Sequence, residues 1–224
     1  TIDGKPVRLV LLTEDDGSDP KQGTAVAQKL VDAGVVGVIG HLNSGTTVPA
    51  SKIYHTAGVA QITPSATTPA YTRQGFKSAF RMVANDAKVG STLGHQAVRR
   101  LKAQRVAVID DRTAFGQGLA DEFIKGVRAA DGKVEIVSRQ FTSDKATDFT
   151  AILTQVKSKR PDLIFYGGMD AVAGPMLKQM KALGLDTHFM GGDGVCSEKL
   201  GELAGDGLGN DKVLCAVAGG VVGA

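Results

Sequence analysis

Short apolar runs alternate along this chain with longer stretches whose apolar positions recur at helical spacing. The runs Val7–Thr13, Val35–Ile39, Val59–Ile62, Ala79–Val83, Arg105–Asp110, Val134–Phe141, Asp162–Tyr166, Thr187–Met190 and Val213–Val217 predict strands. Between them, Asp19-Pro20 opens a helix whose Ala25, Val26, Leu30 and Val31 share a face, with Gly34 beyond its end. Further helices are predicted over Pro49–Ala57, Asp86–Arg100, Gly116–Ala130, Phe149–Lys159 (capped by Asp148) and Val172–Leu183 (stopped by Gly184), with a weak one near Lys199–Leu203. Apolar runs bounded by Gly read as buried parallel strands, and their alternation with helices argues for parallel sheets with helices on both faces. After Arg81-Met82-Val83-Ala84-Asn85-Asp86 the rhythm starts again, which predicts an α/β protein of two doubly wound parallel-sheet lobes with a cleft between them.

Two strand ends run into hydroxyl-rich turns. One is Gly40-His41-Leu42-Asn43-Ser44-Gly45-Thr46-Thr47, the other Thr63-Pro64-Ser65-Ala66-Thr67. Open α/β sheets bind ligands at such places, because unpaired N–H donors and the helix dipole meet an anionic group there. Gly40 and Gly45 have P-loop spacing, but Thr46 and Thr47 follow where that motif needs Lys and then Ser or Thr. Without the lysine, a small carboxylate suits the turn better than a phosphate. The competing reading makes Ser44 and Thr46 ordinary helix caps. Two such turns at neighbouring strand ends point to a site.

Composition narrows the partners. At 224 residues, with 42% hydrophobic residues, 29 Gly and no Trp, the chain suits an α/β protein with many tight turns. The 26 basic and 23 acidic residues leave a net charge of only +3, and the basic ones are scattered near predicted helix ends, so nucleic-acid binding has no support. No apolar stretch approaches the ~20 residues needed to span a bilayer, so no direct membrane insertion is expected. Cys196 and Cys215 match no zinc spacing and form no pattern with His41, His55, His95 or His188, so neither metal nor cofactor is expected. Free buried thiols and a disulfide both fit the two cysteines.

The second half offers its own strand-end loops: Asp111-Arg112-Thr113-Ala114-Phe115-Gly116, Gly167-Gly168-Met169-Asp170 and Gly191-Gly192-Asp193-Gly194. Asp193, flanked by glycines, stands where backbone can approach a ligand closely. It reads alone as a common turn Asp, but opposite an anion site on the other lobe it completes a pair of poles for a zwitterion.

Together these motifs closely resemble the periplasmic Leu/Ile/Val-binding proteins of ABC transporters, which have the type I solute-binding fold. The resemblance is carried collinearly by Asp19-Pro20-Lys21-Gln22, Val38-Ile39-Gly40-His41-Leu42, Pro49-Ala50-Ser51-Lys52-Ile53-Tyr54, Ile62-Thr63-Pro64-Ser65-Ala66-Thr67, Phe115-Gly116-Gln117-Gly118-Leu119-Ala120, Phe165-Tyr166-Gly167-Gly168 and Phe189-Met190-Gly191. It implies that Ser44, Ser65, Ala66 and Thr67 hold the ligand carboxylate and part of its ammonium, that Asp193 pairs with the ammonium, and that Phe115 and Met169 close over the side chain. Phe115 lacks the phenol oxygen of the family's frequent Tyr, Met169 replaces another Tyr, and Asp193 is a methylene shorter than the subgroup's Glu. The resemblance further implies an oxidising periplasm and hence a Cys196–Cys215 bridge; no signal peptide is read within the chain, where processing could have removed one. It divides the chain into residues 1–84 as an incomplete lobe one, 85–217 as lobe two, and 218–224 as the start of a return crossover, with truncation expected at both ends.

The expected function is non-catalytic capture of an aliphatic, branched-chain-like L-amino acid for delivery to a membrane ABC permease. The alternatives are an amino-acid-sensing domain of a receptor or regulator, which shares the fold, and a doubly wound enzyme. Against the enzyme, the chain carries no Gly-x-Ser-x-Gly elbow or GxGxxG fingerprint, and His41 and Ser44 share a turn without a third member.

Overall fold

The computed structural model describes residues 3–209 and 212–219. Two parallel sheets organise it. The first has the order β1-β2-β3, from β1 (Gly37–Ile39), β2 (Ala60–Thr63) and β3 (Ala79–Arg81). The second has β4 (Arg105–Asp110), β5 (Glu135–Phe141), β6 (Leu163–Gly167), β7 (His188–Gly191) and β8 (Val213–Cys215) in the order β5-β4-β6-β7-β8. The helices are α1 (Pro20–Asp32), α2 (Ser44–Thr56), α3 (Pro69–Arg73), α4 (Asp86–Arg99), α5 (Ala114–Ala130), α6 (Thr150–Ser158), α7 (Asp170–Ala182) and α8 (Lys199–Ala204). The order of the second sheet reverses between β4 and β6, so the loops leaving these strands diverge and open a crevice at their carboxyl ends.

Alternation along β4 shows how the second sheet is buried on both faces. Val106 and Val108 point to a core shared with Leu93, Leu119, Phe123 and Phe165, while Ala107 and Ile109 point to one shared with Leu153, Ile164, Val172 and Leu177. The α4 and α5 backbones touch at Gly94, where a Cβ would come within 2.5 Å of the Val127 nitrogen. On the first sheet, α1 and α2 cover one face through Val26, Leu30, Ala50 and Tyr54. The other face carries Ile39, Ile62 and Phe80 in one cross-strand row, and Ile39 is 82% and Phe80 49% exposed. The expectation of fully buried strands therefore fails here, because no helix among the described residues covers that side.

Three further expectations are corrected. Val7–Thr13 forms no strand: it pairs with none of the described strands and is exposed along its length, and part of it lines a hollow of about 710 Å³ together with β1. The helix expected to begin at Pro49 begins at Ser44, and Pro49 lies inside it. The cap is Asn43, which makes no side-chain cap bond, so neither Ser44 nor Thr46 caps the helix. The short α3, with Thr68 as its cap, was not visible as periodicity because it is a single turn and a half. Ala218 returns to the first unit, its carbonyl accepting from the Ala84 N–H at 2.5 Å. Residues 220–224 of the expected crossover lie outside the described residues.

Cys196 and Cys215 form the disulfide, with Cα atoms 5.5 Å apart and a sequence separation of 19. It ties the loop after β7 to the end of β8. Replacing both by Ser is expected to lower unfolding stability by about 3 kcal/mol, the value typical of a loop of this length. Urea denaturation of oxidised protein and the double variant checks it, and coincident midpoints would contradict a stabilising bridge.

Candidate functional site

The loop between β1 and α2 is built on a buried histidine. His41 Nδ1 lies 2.6 Å from Asp16 Oδ2 and its Nε2 3.1 Å from Tyr54 Oη. Burial pushes the Asp16 carboxyl up, but hydrogen bonds from His41, the Ser18 N–H and Thr46 outweigh this and hold it below its ordinary value. The His41 carbonyl accepts from Thr47 Oγ1 at 3.1 Å and Thr63 Oγ1 at 2.8 Å. Thr63 Oγ1 in turn accepts from the Ala66 N–H at 2.9 Å, and Ser65 Oγ donates to the Leu42 carbonyl at 3.0 Å. The two hydroxyl-rich turns are thus one stitched surface. His41 serves as its brace, since both ring nitrogens are engaged behind the loop. Ser44 stands at the first position of α2, where helical N–H groups have no intrahelical partner, and its Oγ accepts from the Thr68 N–H at 3.3 Å.

The second sheet supplies the opposite wall. Phe115 is buried in the first turn of α5, whose cap Thr113 is held by Asp111 Oδ1 at 2.7 Å. Met169 precedes α7, and the Asp170 N–H donates to the Gly194 carbonyl at 2.8 Å. A Cβ on Gly194 would lie 2.7 Å from the Gly168 oxygen and the Met169 sulfur and 2.9 Å from the Phe115 ring. Only glycine lets this loop close against both side chains. Beside it, Asp193 Oδ1 is buried with no hydrogen-bond partner.

All seven expected ligand residues, Ser44, Ser65, Ala66, Thr67, Phe115, Met169 and Asp193, line one cleft of about 240 Å³ between the two sheet units. Leu42, Asn43, Asp170, Gly194 and Ser197 complete its wall. The hollow beside β1 and a second one of about 320 Å³ between α7 and β7 are larger. Neither gathers hydroxyls from one sheet and a carboxylate oxygen without a partner from the other, so the smaller cleft is the candidate site.

A residue read from the sequence only as a helix start also belongs to this region. Asp86, at the first position of α4, is fully buried, and neither carboxylate oxygen has a hydrogen-bond partner. Acidic residues at helix starts ordinarily serve the dipole, so nothing local distinguished it. Burial first, opposed by the Thr67 hydroxyl and reinforced by the charge of Asp193, pushes its carboxyl up to about 6, and burial pushes Asp193 up to about 6 as well. Among the described residues, no cluster of His, Cys, Asp and Glu could hold a metal ion, and no helix is long and apolar enough to cross a membrane.

Comparison with known proteins agrees with this arrangement. A family model described as periplasmic binding protein matches residues 1–217. The "Leu/Ile/Val-binding protein homolog 1" of Brucella abortus (strain 2308) is 39% identical over 207 residues, covering 92% of this chain and 55% of that protein. The Leu/Ile/Val-binding protein of Escherichia coli K12 is 36% identical, covering 89% and 54% respectively. The chain spans about half the length of the curated relatives it matches. Among solved structures, the leucine-binding protein LivK of Thermotoga maritima superposes with a TM-score of 0.83 at 28% identity, over 92% of this chain and 57% of that one. The branched-chain amino acid transporter substrate-binding protein LivJ of Streptococcus pneumoniae, solved with isoleucine, gives 0.78 at 29% identity, over 86% and 54%. With its two parallel sheets, the cleft between them and a family match over nearly its whole length, the chain belongs to the periplasmic binding protein family.

Proposed function

We propose that the chain captures an aliphatic, branched-chain-like L-amino acid in the cleft, without catalysis, for delivery to an ABC permease from the periplasm. The observation that carries this reading is the polarity of the cleft. The Ser44 and Thr67 hydroxyls and the N–H groups of the first turn of α2 face a carboxylate from one side, with Ser65 and Ala66 shaping the turn beside them, and Asp193, whose Oδ1 has no partner, faces an ammonium from the other. Phe115 and Met169 supply an apolar wall for the side chain, with no hydroxyl to favour a polar one. A buried carboxylate without a partner costs free energy in the empty protein, and a ligand ammonium removes that cost on binding. The 39% identical Leu/Ile/Val-binding relative and the isoleucine-bound structural neighbour support the same ligand class.

A thermal-shift screen of the twenty amino acids tests it. Ligands that bind only the native state raise the melting temperature by mass action, so Leu, Ile and Val are expected to give the largest shifts. 4-Methylpentanoate, which keeps the leucine carbon skeleton and carboxylate but lacks the ammonium, is expected to give none. Equal shifts with leucine and 4-methylpentanoate, or no shift with any amino acid, would remove the two-pole reading.

A further inference from the structure

The apolar wall of the cleft stands on a buried carboxylate that does not itself line it. Asp111 follows β4, and its N–H donates to the Gly167 carbonyl at 3.0 Å, so it sits where β4 and β6 part. It is 2% exposed and absent from the cleft lining. Its Oδ1 accepts from the Thr113 N–H at 2.9 Å and from the Thr113 hydroxyl at 2.7 Å. Thr113 Oγ1 in turn accepts from the Gly116 N–H at 2.9 Å, so one chain of bonds fixes the turn that carries Phe115. Packing is as close as the bonding: a Cβ on Gly116 would lie 2.1 Å from Asp111 Oδ1 and 2.5 Å from the Gly167 oxygen. On the other side, a Cβ on Gly168 would lie 2.8 Å from Asp111 Oδ2 and 2.2 Å from Tyr166 Oη. The carboxylate is thus wedged between the Phe115 turn and the backbone that leads into Met169. Fold stability alone argues against a carboxylate here, because Asp111 Oδ2 and Tyr166 Oη are both buried without a partner, and such groups cost free energy.

We propose that Asp111 is a positioning residue for ligand selectivity: its carboxylate holds the Phe115 and Met169 turns at a fixed separation, and so sets the width of the wall that receives the ligand's alkyl side chain. It acts through those two residues, whose side chains meet across Gly194. Support behind a site is what keeps its geometry tight, since contacting groups left unbraced lose their fit to the ligand. The inference rests on the amino-acid reading of the cleft and adds the residue that enforces its preference for a branched side chain over a methyl group.

Calorimetric titration with leucine and with alanine isolates this role. The two ligands share the carboxylate and ammonium, so the ratio of their affinities reports on the alkyl wall alone. The wild type is expected to favour leucine roughly fiftyfold, from three further buried carbons. Asp111→Ala is expected to reduce that ratio roughly tenfold, by weakening leucine while alanine stays within about threefold of wild type. A loss of fold stability by itself weakens both ligands alike and leaves the ratio unchanged. Asp111→Asn keeps the side-chain shape and an oxygen to accept from Thr113, and its ratio is expected to stay within about twofold of wild type.

Thr113→Val breaks the same chain of bonds from a partly exposed position, and it decides the matter if Asp111→Ala does not fold. Its ratio is expected to fall roughly threefold to fivefold. Where both variants fold, the double variant is expected to have a ratio no lower than that of Asp111→Ala, because one linkage is broken either way. A ratio within twofold of wild type in folded Asp111→Ala, or in Thr113→Val where the former does not fold, overturns the proposal. An Asp111→Asn ratio as low as that of Asp111→Ala also overturns it, since charge rather than the bonds to Thr113 would then set the wall. Failure of the underlying reading shows in the wild type instead: binding of neither ligand, or of both equally, removes the branched-chain amino-acid reading and the role of Asp111 with it.

Discussion

Asp193→Ala is expected to weaken amino-acid binding by roughly two to three orders of magnitude, equivalent to about 3–5 kcal/mol. In the variant, a ligand ammonium enters a cleft where its main counter-charge is gone, and the desolvation of that ammonium is no longer offset. Asp86 does not substitute for it, because it is fully buried behind Thr67 rather than open to the cleft. Thr67→Ala is expected to cost less, about 1–3 kcal/mol, since neighbouring N–H donors still face the ligand carboxylate. Ser51 provides the control. Its Oγ donates to the Val48 carbonyl at 2.6 Å and accepts from Gln74 Nε2 at 2.9 Å, inside α2 and away from the cleft. Ser51→Ala is expected to leave affinity unchanged while reducing stability slightly. Calorimetry with leucine ranks the three variants, and an Asp193→Ala protein within threefold of wild type would mean the polarity assigned to the cleft is wrong.

Gly94→Val is expected to destabilise the second unit by about 3 kcal/mol or more, at the upper end of overpacking effects. A Cβ at this position would lie 2.5 Å from the Val127 nitrogen, 2.6 Å from the Gly126 carbonyl carbon and 2.6 Å from the Phe123 oxygen. All three are main-chain atoms of α5, which cannot rotate away as a side chain would. The helices must separate, and the core formed by Leu93, Phe123 and Val127 loosens with them. Because α4 also carries Asp86 and α5 carries Phe115, a variant that folds is expected to bind its ligand more weakly as well. Urea unfolding is the measurement. Gly132→Ala, at a position where a Cβ meets nothing within 4 Å, is the matched control. A Gly94→Val midpoint matching that of Gly132→Ala would show that the close helix approach is not a constraint.

The legibility of this chain follows from where each signal is stored. Arg105–Asp110 was readable to the residue because its apolar run is buried on both faces. Asp19-Pro20, by contrast, marked a helix start through cap chemistry, and Asp19 accepts from the Lys21 and Gln22 N–H groups as such a cap does. The strand-end loops were legible as one region because such loops of parallel sheets converge on one side by topology, while the seven residues chosen within them came from the family resemblance. Val7–Thr13 misled because its apolar pattern is that of a strand, whereas the segment pairs with none of the described strands and is exposed along its length. The start of α2 misled because Pro49 is a usual first-turn residue, and the pull of Asn43 and Ser44 toward an earlier start was weaker than that rule.

The sequence by itself determined most of the succession of strands and helices, the parallel connectivity, and the residue types offered at each strand end, because periodicity, capping and turn chemistry act over a few neighbouring residues. Only the tertiary structure decided that His41 braces its loop, since that depends on Asp16 and Tyr54 reaching its two nitrogens from other elements. It decided also that Asp86 stands unpaired behind Thr67, while the ordinary-looking helix start around it carries no local sign of this. Burial and the presence or absence of a partner are properties of space around a side chain, and residues distant in sequence create that space.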